Sequence, residues 1–399
     1  MPLETTLEAG NSITNRRREF ERDGFLLLKG FASPEECAGL QRRMQELIAA
    51  WNPATEQQTV FVTDQKQQIK EQGSSDYFLD SADRIHFFLE KGATEDSKLK
   101  SDVAKNRSLN KVGHGLHVAD RAFKEYSHSD KVTNLVQELG WKDPVLPQSM
   151  YIFKQPSIGG EVTSHQDSTF LHTTPRPTCL GLWLALDPAT LENGCIWARP
   201  GSHTEPIRRV FVRNPARFEK GDMSAPQMIF DDLSKGEQAW EWEGKMPDQF
   251  APPSKGLFEK GFKPLECEAG DLVVIHGQVD HLSLANTSDK PRDTFQLHLV
   301  EGPSQGITWS PRNWLQYPAG KTFPSLSGDG QGPEKKRKAL SSNCVCFCDL
   351  CCCCSCCCCC CYCCCCCCCC CCCSVAPVSK KFVAWHDENL DSIAMRSSC

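Results

Sequence analysis

Cys179-Leu180-Gly181-Leu182-Trp183-Leu184-Ala185-Leu186 places leucine at every even position, against Gly181, Trp183 and Ala185 at the odd ones. That two-residue period is the mark of a β-strand, whose successive side chains point to opposite faces. Downstream, Glu192-Asn193-Gly194-Cys195 carries an Asn-Gly turn signal, so Ile196 and Trp197 are expected in a returning strand. Upstream, Ser149 to Gln155 reads as another strand. Asp271 to His276, His281 to Ala285 and Asp293 to Val300 continue the rhythm. Short strands at this spacing predict a mainly β fold with flanking helices, a sandwich or barrel whose leading form is the jelly roll.

The first 140 residues read differently. Phe25-Leu26-Leu27-Leu28, between Gly24 and Gly30, predicts a short buried strand. Ser33-Pro34-Glu35-Glu36 combines an N-cap serine, a proline at the first helical position and a capping-box glutamate. Behind it, Cys37, Leu40, Met44, Leu47, Ile48 and Trp51 recur at threes and fours, which is one buried helix face. Residues 205–266 interrupt the strand rhythm with polar sequence, Trp240, Trp242 and several prolines, as a lid, a substrate loop or disordered chain would. A domain over 1–325 and a low-complexity tail over 326–399 are therefore expected.

Hydrophobic residues at 40% and charged residues at 24% suit a globular protein, and the net charge of −6 gives no field for nucleic acid. The basic run Lys335-Lys336-Arg337-Lys338 reads as a nuclear address or, more plainly, as a solvated stretch. There is no run of ordinary apolar residues long enough for a membrane span, and the acidic N-terminus lacks a signal-peptide hydrophobic region. The expected compartment is cytoplasmic. Of 29 cysteines, 24 lie between Cys344 and Cys373, and the four in the body show no Cys-x-x-Cys spacing, which suits reduced thiols.

The chemistry centres on Ser164-His165-Gln166-Asp167-Ser168. In a strand His165 and Asp167 share one face and can both reach one metal ion. A histidine from a distant strand would complete two imidazoles and one carboxylate on one face of an octahedron. Three cis positions then stay open, as in non-haem iron(II) oxygenases, for a bidentate 2-oxo acid and dioxygen. The candidates for that histidine are His276, His281 and His298, with an interior structural role preferred for His298. Arg292 follows His281 by eleven residues and offers the fork that grips a distal carboxylate. Arg292, Thr294, Gln296 and His298 share one strand face, and Phe295, Leu297 and Leu299 the other.

Several segments together make the chain similar to the phytanoyl-CoA dioxygenase family. They include Glu21-Arg22-Asp23-Gly24-Phe25, Asn110-Lys111-Val112-Gly113-His114, and Gln148 through Pro156. Further matches are His165-Gln166-Asp167, Leu191-Glu192-Asn193-Gly194-Cys195, Pro200-Gly201-Ser202-His203, Ile275-His276-Gly277 and Asn313-Trp314-Leu315. The resemblance runs from about residue 16 to 325. It implies a double-stranded β-helix (jelly roll, cupin-like) with iron(II) on His165, Asp167 and His281, which would be the catalytic residues. It also implies 2-oxoglutarate as cosubstrate, held by Arg292 at its distal carboxylate, with Lys111, Met150, Gln166 and Trp183 lining its pocket. Dioxygen, a small-molecule substrate and ascorbate as a supporting reductant complete the expected chemistry. His114, His117 and His203 are read as structural.

The polycysteine tail has no counterpart in the family. Eleven consecutive cysteines, Cys363 to Cys373, exceed what a thiolate metal site or a lipidation motif needs, and nothing there specifies a packed core. Two rival functions remain: a non-catalytic jelly-roll binding protein, and a thiolate metal-binding protein driven by the tail. The intact His165, Asp167, His281 and Arg292 set argues against the first.

Overall fold

All six residues of Leu180–Ala185 are buried, so this strand packs on both faces. The computed structural model describes residues 14–63, 65–233 and 255–327. Its strands of three residues or more, in chain order, begin with β1 (Phe25–Leu28), β2 (Thr59–Phe61), β3 (Ile85–Glu90), β4 (Leu109–His114) and β5 (Pro144–Lys154). They continue through β6 (Val162–His165), β7 (Leu180–Ala185), β8 (Ile196–Ala198), β9 (Arg209–Arg213) and β10 (Met228–Asp232). The last are β11 (Lys263–Leu265), β12 (Leu272–His276), β13 (His281–Ser283) and β14 (Arg292–Glu301). The predicted strands are all present, with ends shifted by a few residues. The predicted tail, from residue 328 onward, and the stretch 234–254, with Trp240 and Trp242, lie outside the described residues.

The architecture is mixed α/β. Eight strands form a large sheet in the order β1-β12-β7-β14-β5-β4-β3-β2, antiparallel throughout except for the parallel β2–β3 pair. Four form a smaller antiparallel sheet, β11-β8-β13-β6. The alternation in β7 assigns the two faces of the large sheet. Leu180, Leu182 and Leu184 join Leu272, Val274, Phe295, Leu297 and Leu299 in a core shared with the helices. Trp183 and Ala185, with Val273 and Ile275, pack instead with Ile196, Trp197 and Leu282 of the small sheet. The second core therefore lies between the two sheets, and residues of this face line the site described below.

Helix α1 (Asn15–Asp23) ends at Gly24, and α2 (Pro34–Ala50) follows β1. The capping box at Ser33 forms as the sequence predicts: its hydroxyl accepts from Glu36 N at 3.3 Å and its own N–H donates to Glu36 Oε2 at 2.8 Å. The predicted apolar face is buried except at Leu47, which packs partly exposed against the same core. Helices α3 (Arg121–Ser127) and α4 (Asp130–Glu138) add Phe123, Val132, Leu135 and Val136 to it. Among the described residues no helix is long and apolar enough to cross a membrane.

One expectation fails in an informative way. Ile196–Ala198 does not return beside β7; it pairs with β11 and β13 in the other sheet. The turn before it is held by its own side chain, because Asn193 Oδ1 accepts from Thr190 N at 2.7 Å and Nδ2 donates to Pro188 O at 2.8 Å. The Asn-Gly pair closes a local loop, not a two-residue hairpin. Gly194 is needed there: its φ is +88° and a Cβ would sit 2.5 Å from Leu284 O. The expected lid segment also gains order, since β9 and β10 pair with each other over Arg209–Arg213 and Met228–Asp232.

Candidate metal centre and its cavity

Strand β6 delivers His165 opposite His281 of β13, as direct register partners. Asp167 is not within the strand, as the two-residue argument supposes, but opens the short turn Asp167–Thr169. Gln166 between them stays extended (φ −113°, ψ 130°), so the two side chains still converge. His165 Nε2 lies 3.5 Å and His281 Nε2 3.7 Å from Asp167 Oδ1. One ligand atom from each residue lies within 4.8 Å of the others, the only such grouping of three or more among the described residues.

The tautomers follow from backbone contacts. His165 Nδ1 donates to Thr163 O at 2.8 Å and His281 Nδ1 to Val279 O at 3.0 Å. Each Nε2 therefore carries a lone pair and faces the carboxylate, which is how histidine is prepared as a ligand. Burial, with His165 beside it, pushes the His281 imidazole down to about 4, which keeps it neutral. Burial alone would raise the Asp167 carboxyl, yet His298, 3.2 Å from its other oxygen, leads the histidines that hold it well below the usual range. Two imidazoles and one carboxylate fit a divalent first-row metal.

The three residues open onto a cavity of about 780 Å³. Its far end is cationic. Arg292 is buried, its guanidinium 5.2 Å from the centre of the Trp183 ring, and Nη1 donates to Gly194 O at 2.7 Å. Its Nε has no partner. Burial lowers this guanidinium only to about 10, so it stays charged at neutral pH. Lys154, its register partner on β5, donates to Leu284 O at 2.5 Å and Ser283 Oγ at 2.7 Å. Burial and the neighbouring Arg292 push the Lys154 amine well below its ordinary value. Neither Arg292 nor Lys154 forms an ion pair with a described residue, so the charged Arg292 fits an incoming carboxylate.

Lys111, Met150, Gln166 and Trp183 all line this cavity. Lys111 Nζ is buried over the Phe61 ring, 3.3 Å from its centre, and burial pushes it down to about 7. Gln166 spends its amide on the backbone: Nε2 donates to Gln278 O at 3.1 Å and Oε1 accepts from Arg208 N at 3.1 Å. Aromatic residues Phe61, Phe78, Phe170, Phe230 and Trp314 form the remaining wall. Phe230 comes from the β9–β10 hairpin, so part of the predicted lid does border the cavity.

Of the other candidate histidines, His276 packs near Phe20 and His203, away from the triad, as a structural residue would. His298 does enter the site, with Nε2 3.2 Å from Asp167 Oδ2. His117 is structural, fixed by Ser149 and Leu146 O, whereas His114 also borders the cavity. Sequence reading missed Lys154 and Asp280. The signal for Lys154 was the two-residue spacing Gln148, Met150, Ile152, Lys154, all of which border the cavity.

The chain is 43% identical over 310 residues to phytanoyl-CoA dioxygenase domain-containing protein 1 of Danio rerio, covering 77% of this chain and 96% of that protein. It is 40% identical over 309 residues to phytanoyl-CoA dioxygenase 1 of Oryza sativa subsp. japonica, covering 77% and 95%. Among solved structures, the epimerase SnoN in complex with Fe3+, alpha ketoglutarate and nogalamycin RO aligns at TM-score 0.49 and 14% identity, covering 78% of this chain and 97% of its own. The family model for phytanoyl-CoA dioxygenase (PhyH) matches residues 20–294, a span that includes His165, Asp167, His281 and Arg292. The chain belongs to the phytanoyl-CoA dioxygenase family.

Proposed function

We propose that this protein is an iron(II)- and 2-oxoglutarate-dependent dioxygenase acting on a small organic substrate, with the two sheets as the halves of a double-stranded β-helix. The observation that carries the reading is one cavity with a His-Asp-His donor set at one end and, at the other, a buried charged Arg292 without an ion pair, beside the Lys154 amine. In it His165, Asp167 and His281 hold the iron. Arg292 receives the distal carboxylate of 2-oxoglutarate with its planar fork, and the Lys154 amine adds a hydrogen-bond donor beside it. Trp183 and Met150 border the cosubstrate's carbon chain.

When bound, the iron supplies the redox chemistry: 2-oxoglutarate, dioxygen and a substrate C–H bond become succinate, carbon dioxide and an alcohol. The chain's own part is to orient and to exclude water. The register of β14 against β5 fixes Arg292 relative to Met150, and so sets the depth at which a dicarboxylate can sit. The aromatic wall of Phe78, Phe170, Phe230 and Trp314 supplies an apolar, water-poor seat for the substrate body. A simple binding role would leave the convergence of neutral imidazole lone pairs on Asp167 without a purpose.

The test is anaerobic loading with iron(II) and 2-oxoglutarate, then dioxygen with a metabolite library, reading succinate and oxygenated products. Wild type is expected to release succinate above the no-enzyme rate, and Asp167→Ala to lose both iron and turnover. Wild-type iron content and succinate release in Asp167→Ala would show the ligand set to be wrong.

A further inference from the structure

The Asp167 carboxylate is divided between two sets of neighbours. Oδ1 faces His165 Nε2 at 3.5 Å and His281 Nε2 at 3.7 Å. Oδ2 turns the other way, 3.2 Å from His298 Nε2. His298 is buried in mid-strand on β14, opposite Gly181 of β7 and Gln148 of β5. Gln148 Nε2 donates to its Nδ1 at 3.0 Å. With Nδ1 accepting, the ring proton sits on Nε2, and a carboxylate can approach that nitrogen only if the nitrogen has a proton to give. Gln296 Nε2 lies 3.0 Å from the same Nε2, and since two nitrogens cannot both donate, turning that amide to present its oxygen satisfies the pair. The absence of a side chain at Gly181 permits the arrangement, because a Cβ there would lie 3.1 Å from Oδ2 and 3.6 Å from the His298 ring.

We propose that His298 is a positioning residue that holds Asp167 to coordination through one oxygen, keeping the remaining metal positions free for ligands. The inference rests on the metal site proposed above. Two imidazoles and one carboxylate oxygen leave three octahedral positions, and a 2-oxo acid with dioxygen needs all three. A carboxylate free to turn would chelate through both oxygens and occupy one of them. His298 prevents this by engaging Oδ2 in a hydrogen bond to a charged acceptor, and Gln148 keeps the proton on the nitrogen that makes it. His298 touches neither substrate nor metal in this scheme; it acts through Asp167.

The experiment uses the full chain and two calorimetric titrations: manganese(II) into the metal-free protein, then 2-oxoglutarate into the manganese-loaded protein without dioxygen. His298→Leu is expected to keep manganese binding and its melting temperature near wild type while binding 2-oxoglutarate about tenfold more weakly or worse. The visible charge-transfer absorption of the iron(II)–2-oxoglutarate complex should fade in parallel. His298→Gln, which retains an N–H donor, should recover part of the loss. If His298→Leu does not fold, Gln148→Leu decides the matter by the same titrations, with the same selective loss expected. Unchanged 2-oxoglutarate affinity would overturn the proposal. So would a parallel fall in metal affinity, cosubstrate affinity and melting temperature, which is the pattern of a packing residue. A wild-type protein that binds no manganese would fail differently, by removing the metal site itself.

Discussion

Arg292 and Lys154 stand opposite each other across the β14–β5 pair, and both reach the hydroxyl of Ser283, Arg292 Nη1 at 3.4 Å and Lys154 Nζ at 2.7 Å. Ser283 Oγ in turn donates to Gly194 O at 2.8 Å, the carbonyl that also takes Arg292 Nη1. Two strands of the large sheet, one of the small sheet and the loop before β8 thus meet at one cationic corner. Both side chains are held by neutral oxygens, and a carboxylate would supply the counter-charge that Arg292 lacks among its hydrogen-bond partners.

Arg292→Leu is therefore expected to weaken 2-oxoglutarate binding by at least about tenfold, since a hydrogen bond to a charged group is worth roughly 1.5–3 kcal/mol. Metal content should stay near normal, because the three ligands are untouched. Arg292→Lys should recover only part of the affinity, as an ammonium cannot reproduce the planar fork. Calorimetric titration of 2-oxoglutarate into the manganese-loaded protein gives the answer. An unchanged dissociation constant would move the anchor to Lys154 or Lys111.

Gly181→Ala separates the site from the fold. The added Cβ meets Asp167 Oδ2 at 3.1 Å, tighter than ordinary contact, while the backbone there is not in the left-handed region and adds no strain of its own. The carboxylate must yield by a few tenths of an ångström. Metal affinity should drop several-fold in direct titration, and the melting temperature should move by no more than a few degrees. A variant with wild-type metal affinity would mean that Oδ2 has room to retreat without cost.

Much of the framework could be read from short-range pattern. The two-residue period at 180–185 and at 292–301, and the capping box at Ser33, are local signals and appear where expected. Pairing partners are not local. β3 carries Phe87, Phe88, Leu89 and Glu90 buried in succession, with no alternation to read, and its parallel pairing with β2 depends on chain far upstream. The site divides in the same way. His165, Asp167, His281 and Arg292 belong to motifs, whereas His298 matters because register sets it opposite Gly181, and Asp280 because folding brings two arginines to it.

The expected boundary at 325 falls short, because Leu326 is buried in the first core and its N–H donates to Pro144 O, and we propose that residues 1–327 form the functional domain without help from the chain beyond. Both large cores and every residue bordering the cavity precede residue 327. The composition changes near that point, and the polycysteine stretch offers no periodic apolar face. A chain ending near residue 330 is expected to melt at the same temperature and to turn over 2-oxoglutarate at the same rate as the full chain. A large fall in melting temperature or loss of bound iron would assign the tail a part in the fold or the site.

Asp280 offers a prediction with a sign in pH. It is buried immediately before His281, and its carboxylate accepts from Arg208 Nη1 at 3.1 Å, Arg208 Nη2 at 3.0 Å and Ser164 Oγ at 2.5 Å. Ser164 immediately precedes His165, so one carboxylate ties together the strands that carry both histidines, within the lining of the same cavity. Asp280→Asn leaves Arg208 without its counter-charge and should cost about 3 kcal/mol of stability at neutral pH, the usual penalty for breaking a buried pair. Burial acts to raise this carboxyl, but Arg208 and Ser164 outweigh it and hold it below its ordinary value of 3.8. A group depressed on folding stabilises above its unfolded value, and that stability is lost as pH falls through the folded value. The wild type should therefore lead Asp280→Asn by a constant margin from neutral pH down to the region of 3.8, and the margin should close only below it. Urea unfolding of both proteins across that range measures the difference directly. A margin that already closes near neutral pH would place the titrating group elsewhere, and a margin near zero throughout would mean that Arg208 finds another acceptor when Asp280 is lost.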